Sequence, residues 1–464
     1  MRITAKELAP RIFGGIGICL TMTVWTIASI STVAFAADTA PGPRPQLTAD
    51  QMRDDLVFLR DVWAPAEKSF NTQQRESFNG IVSDAVAHVD SLDAAQLGLV
   101  VARAVATPHN AHTSAYPEGV FHSLPLRLWW FADGLYVVKA HPDFKNLIGA
   151  RIERLGELTP AEALRRITPY ISGHKEWTKW RSASWLIFLE PLHAIGASSS
   201  DETADITFRL ADGTESTVSM HQRPSPDPTP NHDLWAALIP DATSLSRRWP
   251  HALDGTNVPL AYQPPVDLSA EMIGGSKRVL YIRSTLFEPM GGDSFEQKMA
   301  AVQQTLLKER PMNIVVDMRL NTGGNFFNTF MLSEGLPRLI PRNGHIFVLV
   351  DGITLSAAEV TLARLKQFGG DRTIVIGSPM GDPGGFWAEG GNMKLPNSGI
   401  RVTYASKFED WSNGCDDLDK CYWASVAYGV KHVSLTPDVT IEPRFADYAA
   451  GRDPLLEAAL ARIK

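Results

Sequence analysis

The sequence predicts a multidomain α/β protein: an N-terminal helical domain, then a β-rich module, then an α/β core. Three observations predict it. Between 48 and 105 apolar residues recur at helical spacing, whereas from 124 to 218 they fall in short extended runs separated by turns. From Val279 onward, short continuous apolar runs alternate with amphipathic helices, the pattern of a sheet buried on both faces by crossover helices. Finally, 464 residues exceed one ordinary domain. A hydrophobic content of 44% with 20% charged residues suits a globular chain with a full core, and a net charge of -7 gives no electrostatic case for nucleic acid.

The N-terminus reads as an export signal over 1–36. Arg2, Lys6 and Arg11 precede an uncharged stretch from Ile12 to Ala37, and Ala34-Phe35-Ala36 supplies a small-x-small cleavage site. The alternative is an uncleaved membrane anchor, since the apolar stretch is long. After cleavage no membrane contact is expected. Removal of 1–36 takes away three basic residues and one acidic one, moving the net charge from -7 to -9. Residues 37–47 (ADTAPGPRPQL) form a proline-rich tether. The helical domain, 48–118, starts at a Thr48 cap with Met52, Leu56, Leu59 and Trp63 on one face. Further amphipathic runs follow over 78–89 and 94–105. Pro108 then stops the helix and opens the loop Thr107-Pro108-His109-Asn110-Ala111-His112-Thr113.

From 120 to 222 the texture is β. Strands at 126–128, 134–138 and 148–156 lead to one helix, which Thr159, Pro160 and Glu162 open with a capping box. A hairpin around Asp212-Gly213 closes the segment. This order resembles a PDZ-type module, although no Gly-Leu-Gly-Phe-like carboxylate-binding loop is present. Residues 223–266 form a proline-rich linker whose Trp235 and Trp249 imply that it packs on something. The core, 270–464, reads strand (279–282), helix (capped by Ser294 with Gln297), strand (314–318), helix from Asn325, strand (346–350), helix from Ala357 and strand (373–376). Of three cysteines, Cys19 lies in the signal. Cys415 and Cys421 remain, and in an exported protein such a pair reads as a disulfide rather than a metal clip.

Three motifs carry chemistry. Ser356 stands between the apolar run 346–350 and the following helix. It reads as an N-cap paired with Glu359, or as a nucleophile at a helix N-terminus that would support an oxyanion. Asp317-Met318-Arg319-Leu320-Asn321-Thr322-Gly323-Gly324 leaves a buried strand, and paired glycines allow close backbone approach and outward N–H groups; a plain tight turn reads the same way. His112 lies in the proline-bounded loop, one of twelve histidines.

Together these residues resemble the C-terminal processing (tail-specific) protease family. Asp317-x-Arg319-x-Asn321-x-Gly323-Gly324 is similar to its Asp-x-Arg-x-Asn-x-Gly-Gly motif. Ser356-Ala357-Ala358-Glu359 is similar to its Ser-Ala-x-Glu turn, and Pro437-Asp438-Val439 to its Pro-Asp-Ile segment. The resemblance implies a helical cap, a PDZ-like module and a ClpP/crotonase-like α/β core acting on peptide or protein substrates. The commoner branch of that family places a lysine in a Gly-Lys-Gly turn after the next strand; here 377–384 reads GSPMGDPG, without lysine. Lys366 lies ten residues along the helix from Ser356, about 15 Å by helical rise. The tricorn-like branch instead uses an upstream histidine in an Asp-x-His-Thr-like loop, which Asn110-Ala111-His112-Thr113 resembles with Asn for Asp. The resemblance therefore implies Ser356 as nucleophile and His112 as general base, with N–H groups of Gly323 or Gly324 and of Ala357 as oxyanion donors. Glu389, Glu409 and Asp410 are candidates for the acid behind His112. With the two residues on different domains, the site is expected in a cleft gated by closure. His109 and His112 as metal ligands lack a third partner, and no metal or cofactor is required. A catalytically silent peptide-binding homologue, or an ester hydrolase on the same scaffold, are the alternatives.

Overall fold

The core is built on a six-stranded sheet in the order Val439–Thr440, Thr373–Gly377, Ile346–Val350, Asn313–Asp317, Val279–Arg283, Ser269–Ile273. All neighbours run parallel except the last, which is antiparallel and forms one edge. Register places Ile346 beside Ile314 and Val348 beside both Val316 and Val375. Because side chains alternate along a strand, Leu280, Ile282, Ile314, Val316, Ile346, Val348 and Val350 share one face and pack under helices Phe295–Glu309 and Ala357–Gly369. Tyr281, Val315, Phe347 and Leu349 face the other way, under the C-terminal helix Pro454–Arg462. Each such buried side chain contributes about 2 kcal/mol, and burial on both faces is why the strands read as continuous apolar runs.

In this computed structural model the described residues are 46–222, 237–240, 249–382 and 384–463. The expected export segment 1–36, nearly all of the expected tether 37–47 and Trp235 lie outside them. No helix of the described residues is long and apolar enough to cross a membrane.

The helical domain follows its caps. Thr48 with Gln51, Asn71 with Gln74 and Asp93 with Gln96 form capping boxes opening Ala49–Phe58, Thr72–Ala87 and Ala94–Val105. The β-rich module is an antiparallel meander of Leu126–Phe131, Gly134–Ala140, Arg151–Leu155, Thr203–Arg209 and Glu215–His221, joined in sequence order. The Asp212-Gly213 hairpin pairs Ile206 with Val218 and Thr207 with Thr217. Where the sequence led us to expect one helix in this module, the structure has Pro160–Ile167, Lys175–Trp185 and Leu189–Ala194. The second hides from periodicity because Thr178, Arg181 and Ser182 are buried beside Trp177, Trp180 and Trp185, which removes the contrast between apolar and polar faces. The helix expected from Asn325 is broken into a tight turn at Phe326–Thr329, a wide turn at Met331–Gly335 and a short helix at Leu336–Leu339. Within the proline-rich linker, Trp249 is buried beneath the Arg127 guanidinium, and Ala252 donates to the Val138 carbonyl at 2.8 Å.

A segment after the core strands reaches back over the helical domain. Ala115–Tyr116 pairs with Arg401–Tyr404, which pairs with Gly391–Lys394. Trp63 Nε1 donates to the Thr403 carbonyl at 2.9 Å. The buried Glu67 carboxylate accepts from Thr113 Oγ1 at 2.7 Å and from the Ala405 N–H at 2.9 Å. Asp55 accepts the N–H groups of Asn397 and Ser398, each at 2.8 Å. The boundary on the side of the His112 loop is therefore stitched by backbone pairing and buried carboxylates.

Candidate active site

Two turns leave neighbouring strands of the parallel sheet and are laced together. Asp351, just after Ile346–Val350, accepts from the N–H groups of Ile353 (3.0 Å) and Thr354 (3.1 Å) and, across the strands, from Leu320 N–H (3.0 Å). Burial pushes its carboxyl up to about 6, these donors offsetting part of the rise. Thr354 Oγ1 donates to the Met318 carbonyl at 2.9 Å, and Leu355 N–H to the Asn321 carbonyl at 3.0 Å. The lacing delivers Ser356 to the mouth of helix Ala357–Gly369 at φ +56° and ψ -123°. That conformation costs a non-glycine residue about 1–3 kcal/mol.

The expected capping box does not form. Ser356 occupies the cap position, but its side chain accepts no bond from the helix, because the positive φ turns the hydroxyl away from the first-turn N–H groups. Glu359 does not reach back either: it is fully buried and makes no bond to the cap.

The glycine pair lies against this serine. A methyl group at Gly323 would sit 2.6 Å from Ser356 Cβ, 3.0 Å from its Oγ and 3.2 Å from the Ala357 nitrogen. With φ at +112°, Gly323 is required both for its conformation and for the close approach. Its own N–H is occupied, donating to Asn321 Oδ1 at 2.9 Å. The N–H groups of Gly324 and Ala357 have no acceptor among the described residues. The remaining motif residues are structural. Arg319 is gripped between Asp317 (Nε to Oδ1 2.9 Å) and Asp453 (2.8 and 2.7 Å), all three buried, and Asp453 caps the C-terminal helix. Burial alone would raise Asp317; the Arg319 charge holds it below the usual carboxylate range.

His112 is stacked on Phe386, with ring centroids 5.0 Å apart and planes 15° apart. Its side chain is 20% exposed, yet both ring nitrogens are shielded and without a hydrogen bond. Shielding the nitrogens, the atoms that carry charge, pushes the imidazole down to about 4, so it is neutral near pH 7. The loop is fixed by Asn110, whose Nδ2 donates to Thr113 Oγ1 (2.9 Å) and the Trp387 carbonyl (3.0 Å) while its Oδ1 accepts Trp387 N–H (3.3 Å). An aspartate could not make the two donations, which accounts for Asn at a position where the resembled loop has Asp.

The carboxylate nearest His112 is none of the three candidates from the sequence. Asp382 Oδ2 lies 3.9 Å from His112 Nδ1; its side chain is buried and without a hydrogen bond. Glu409 is buried and accepts from Trp411 Nε1 at 2.7 Å; Asp410 caps the turn at Ser412 (3.0 Å) and Asn413 (2.8 Å); Glu389 makes no ion pair with His112. Burial pushes Asp382 and Glu409 up to about 8 and drives Glu359 above its ordinary range, the nearby Asp382 adding to the rise. Reading 377–384 only for a missing lysine passed over Asp382, although an acid in that turn was a visible signal. No hydrogen bond joins His112 to Ser356.

Lys366 is bonded to Asp438 Oδ2 at 2.8 Å, and the same oxygen accepts Val375 N–H at 2.7 Å, so the Pro437-Asp438 segment ties the helix to the sheet. Cys415 and Cys421 form the expected disulfide, with Cα atoms 6.0 Å apart. Among the described residues no group of three His, Cys, Asp or Glu is placed to hold a metal.

No protein-family model matches the chain, and no curated protein matches it. Solved structures do. Mature CPAF complexed with lactacystin aligns with a TM-score of 0.56 at 14% identity, covering 89% of this chain and 97% of that one. Mature CPAF alone aligns with 0.55 at 13% identity, over 89% and 96%. A CPAF point mutant gives 0.57, again at 13% identity. The chain therefore has the fold of mature CPAF over nine-tenths of its length.

Proposed function

We propose that the protein is an exported serine peptidase of the tail-specific type, working through an acyl-enzyme on Ser356. The observation that carries this reading is the Ser356 turn: a strained serine at a helix N-terminus, its hydroxyl unbonded, with Gly323 packed against it and two free N–H groups beside it. Strain at a cap residue whose side chain makes no cap bond points to a role other than capping.

In the proposed reaction Ser356 Oγ attacks the peptide carbonyl while neutral His112 takes its proton. Gly324 and Ala357 N–H groups receive the oxyanion, assisted by the helix dipole; Gly323 serves the approach rather than the charge. His112 returns the proton to the leaving amine, and water, deprotonated by the same imidazole, releases the acyl group. The resting groups are not hydrogen-bonded to one another, and they close only around bound substrate. Peptide rather than a small ester is favoured by an exposed aromatic shelf, Phe327, three residues after Gly324, with Trp423 and Tyr428 packed on it, which suits an apolar side chain of an extended substrate. The disulfide agrees with action outside the cytoplasm.

The test is covalent labelling by a fluorophosphonate, with lactacystin, the ligand of one CPAF structure, as a second probe. The wild type is expected to label and Ser356→Ala to remain blank. Equal labelling of both, or of neither, overturns the nucleophile. Turnover of an ester without turnover of any peptide overturns the substrate class.

A further inference from the structure

We propose that Asp382 is the carboxylate partner of His112, a positioning residue in the turn where a serine–lysine enzyme presents its lysine. Its catalytic meaning rests on the peptidase reading above; the pairing itself rests on geometry.

Among the described residues Asp382 is the carboxylate within 4.0 Å of a His112 nitrogen, at 3.9 Å from Nδ1. All four polar atoms of the two side chains are buried and unbonded. Two such groups left apart in a dry site each bear a desolvation cost, and their union relieves both. A movement of about 1 Å brings Oδ2 to hydrogen-bond distance. The Phe386 stack permits it, because the imidazole can slide within its own plane without losing the ring contact. Asp382 also moves with the nucleophile: the preceding Gly381 N–H donates to the Thr354 carbonyl at 3.1 Å, two residues before Ser356. Nδ1–H on Asp382 leaves the Nε2 lone pair free for the serine proton, and the carboxylate then balances the imidazolium. The atoms balance, since one proton passes from Oγ to Nε2 and none needs to leave Nδ1.

Other charges face the pair. Glu359 approaches Asp382 from helix Ala357–Gly369, and Glu409 and Asp410 come from strand Lys407–Asp410, with Glu389 near Glu409. Across a cavity of about 520 Å³ that Asp382 lines stand His174, Lys175 and Glu176. Burial disfavours charge on both partners, holding His112 near 4 and Asp382 near 8, so between those values the resting pair holds one proton on Asp382, and the working state, an ionised Asp382 beside a neutral imidazole with Nδ1–H, is reached as pH rises through about 8.

The test needs no turnover. In Ser356→Ala protein, the His112 Cε1–H signal, assigned by its loss in His112→Gln, is followed against pH by NMR. Two steps are expected, the upper one vanishing in Asp382→Asn and surviving in Glu359→Gln. A single step in the parent protein, an upper step that survives Asp382→Asn, or one that answers to Glu359 alone overturns the proposal, and the first of these requires no folded Asp382 variant. With Ser356 intact, Asp382→Asn is expected to slow fluorophosphonate labelling by about 10²–10⁴-fold in the maximal rate with little change in the binding constant of the probe, and Asp382→Glu to recover part. Unchanged labelling in Asp382→Asn overturns the proposal as well. If wild type does not label but the upper step answers to Asp382, the peptidase reading fails and the pairing stands.

Discussion

Replacing Gly323 with alanine tests the contact on which the site is built. The added methyl would lie 2.6 Å from Ser356 Cβ and 3.0 Å from Oγ, whereas carbon atoms settle about 3.5–4.0 Å apart. The serine turn must therefore yield by about 1 Å. A displacement of that size at a reacting atom costs about 10²-fold in rate, or about 2.7 kcal/mol of transition-state stabilisation. Alanine at φ +112° adds a separate strain of about 1–3 kcal/mol to the fold. Gly213→Ala separates the two effects. That glycine sits at φ +85° on the distal hairpin, and a methyl there meets nothing within 4 Å. Equilibrium unfolding in urea should show both variants destabilised. Fluorophosphonate labelling should fall about 10²-fold in Gly323→Ala and stay at the wild-type rate in Gly213→Ala. Wild-type labelling by Gly323→Ala, or equal losses in both, would refute the reasoning.

Three further outcomes follow from buried polar groups. Glu409 is held up at about 8, so the folded chain keeps a proton that an unfolded carboxyl has released; the stability this contributes is full below about pH 4 and lost as pH rises through about 8. Glu409→Gln, which preserves an acceptor for Trp411, should lose less of its urea midpoint than wild type between about pH 5 and about pH 8; an equal loss contradicts the assignment. Asn110→Asp removes the donations to Thr113 and the Trp387 carbonyl and should destabilise the fold by about 1–3 kcal/mol in the same assay; wild-type stability would show that the loop is held elsewhere. Arg319→Met leaves Asp317 and Asp453 buried without a countercharge and should cost about 3–5 kcal/mol. Whatever fraction of it folds should still label at Ser356, and a folded but unreactive variant would make Arg319 more than a brace.

Periodicity made the core sheet and the capped helices legible, because Ile346–Val350 is apolar on both faces and Thr48, Thr159 and Ser294 carry their box partners three residues on. Ser356 with Glu359 has the same spelling and does something else. The difference lies in a backbone angle set by Asp351, Thr354 and Asn321, which no local pattern reports. The segment 385–410 stayed unread because its strands are only four residues long, and one of them, Arg401–Tyr404, also pairs far away in sequence with Ala115–Tyr116. Asp382 was hidden for a related reason: its significance depends on a histidine 270 positions earlier that only the folded chain brings to it.

The stitching of the His112 loop has a consequence for the order of events during synthesis. Asn110 waits for Trp387, Glu67, which holds Thr113, waits for Ala405, and the imidazole waits for the ring of Phe386. These partners are made some 270–340 residues later, so the loop has no floor to settle on while most of the chain is still being translated. A chain assembled this way completes its His112 loop only when its last quarter has arrived.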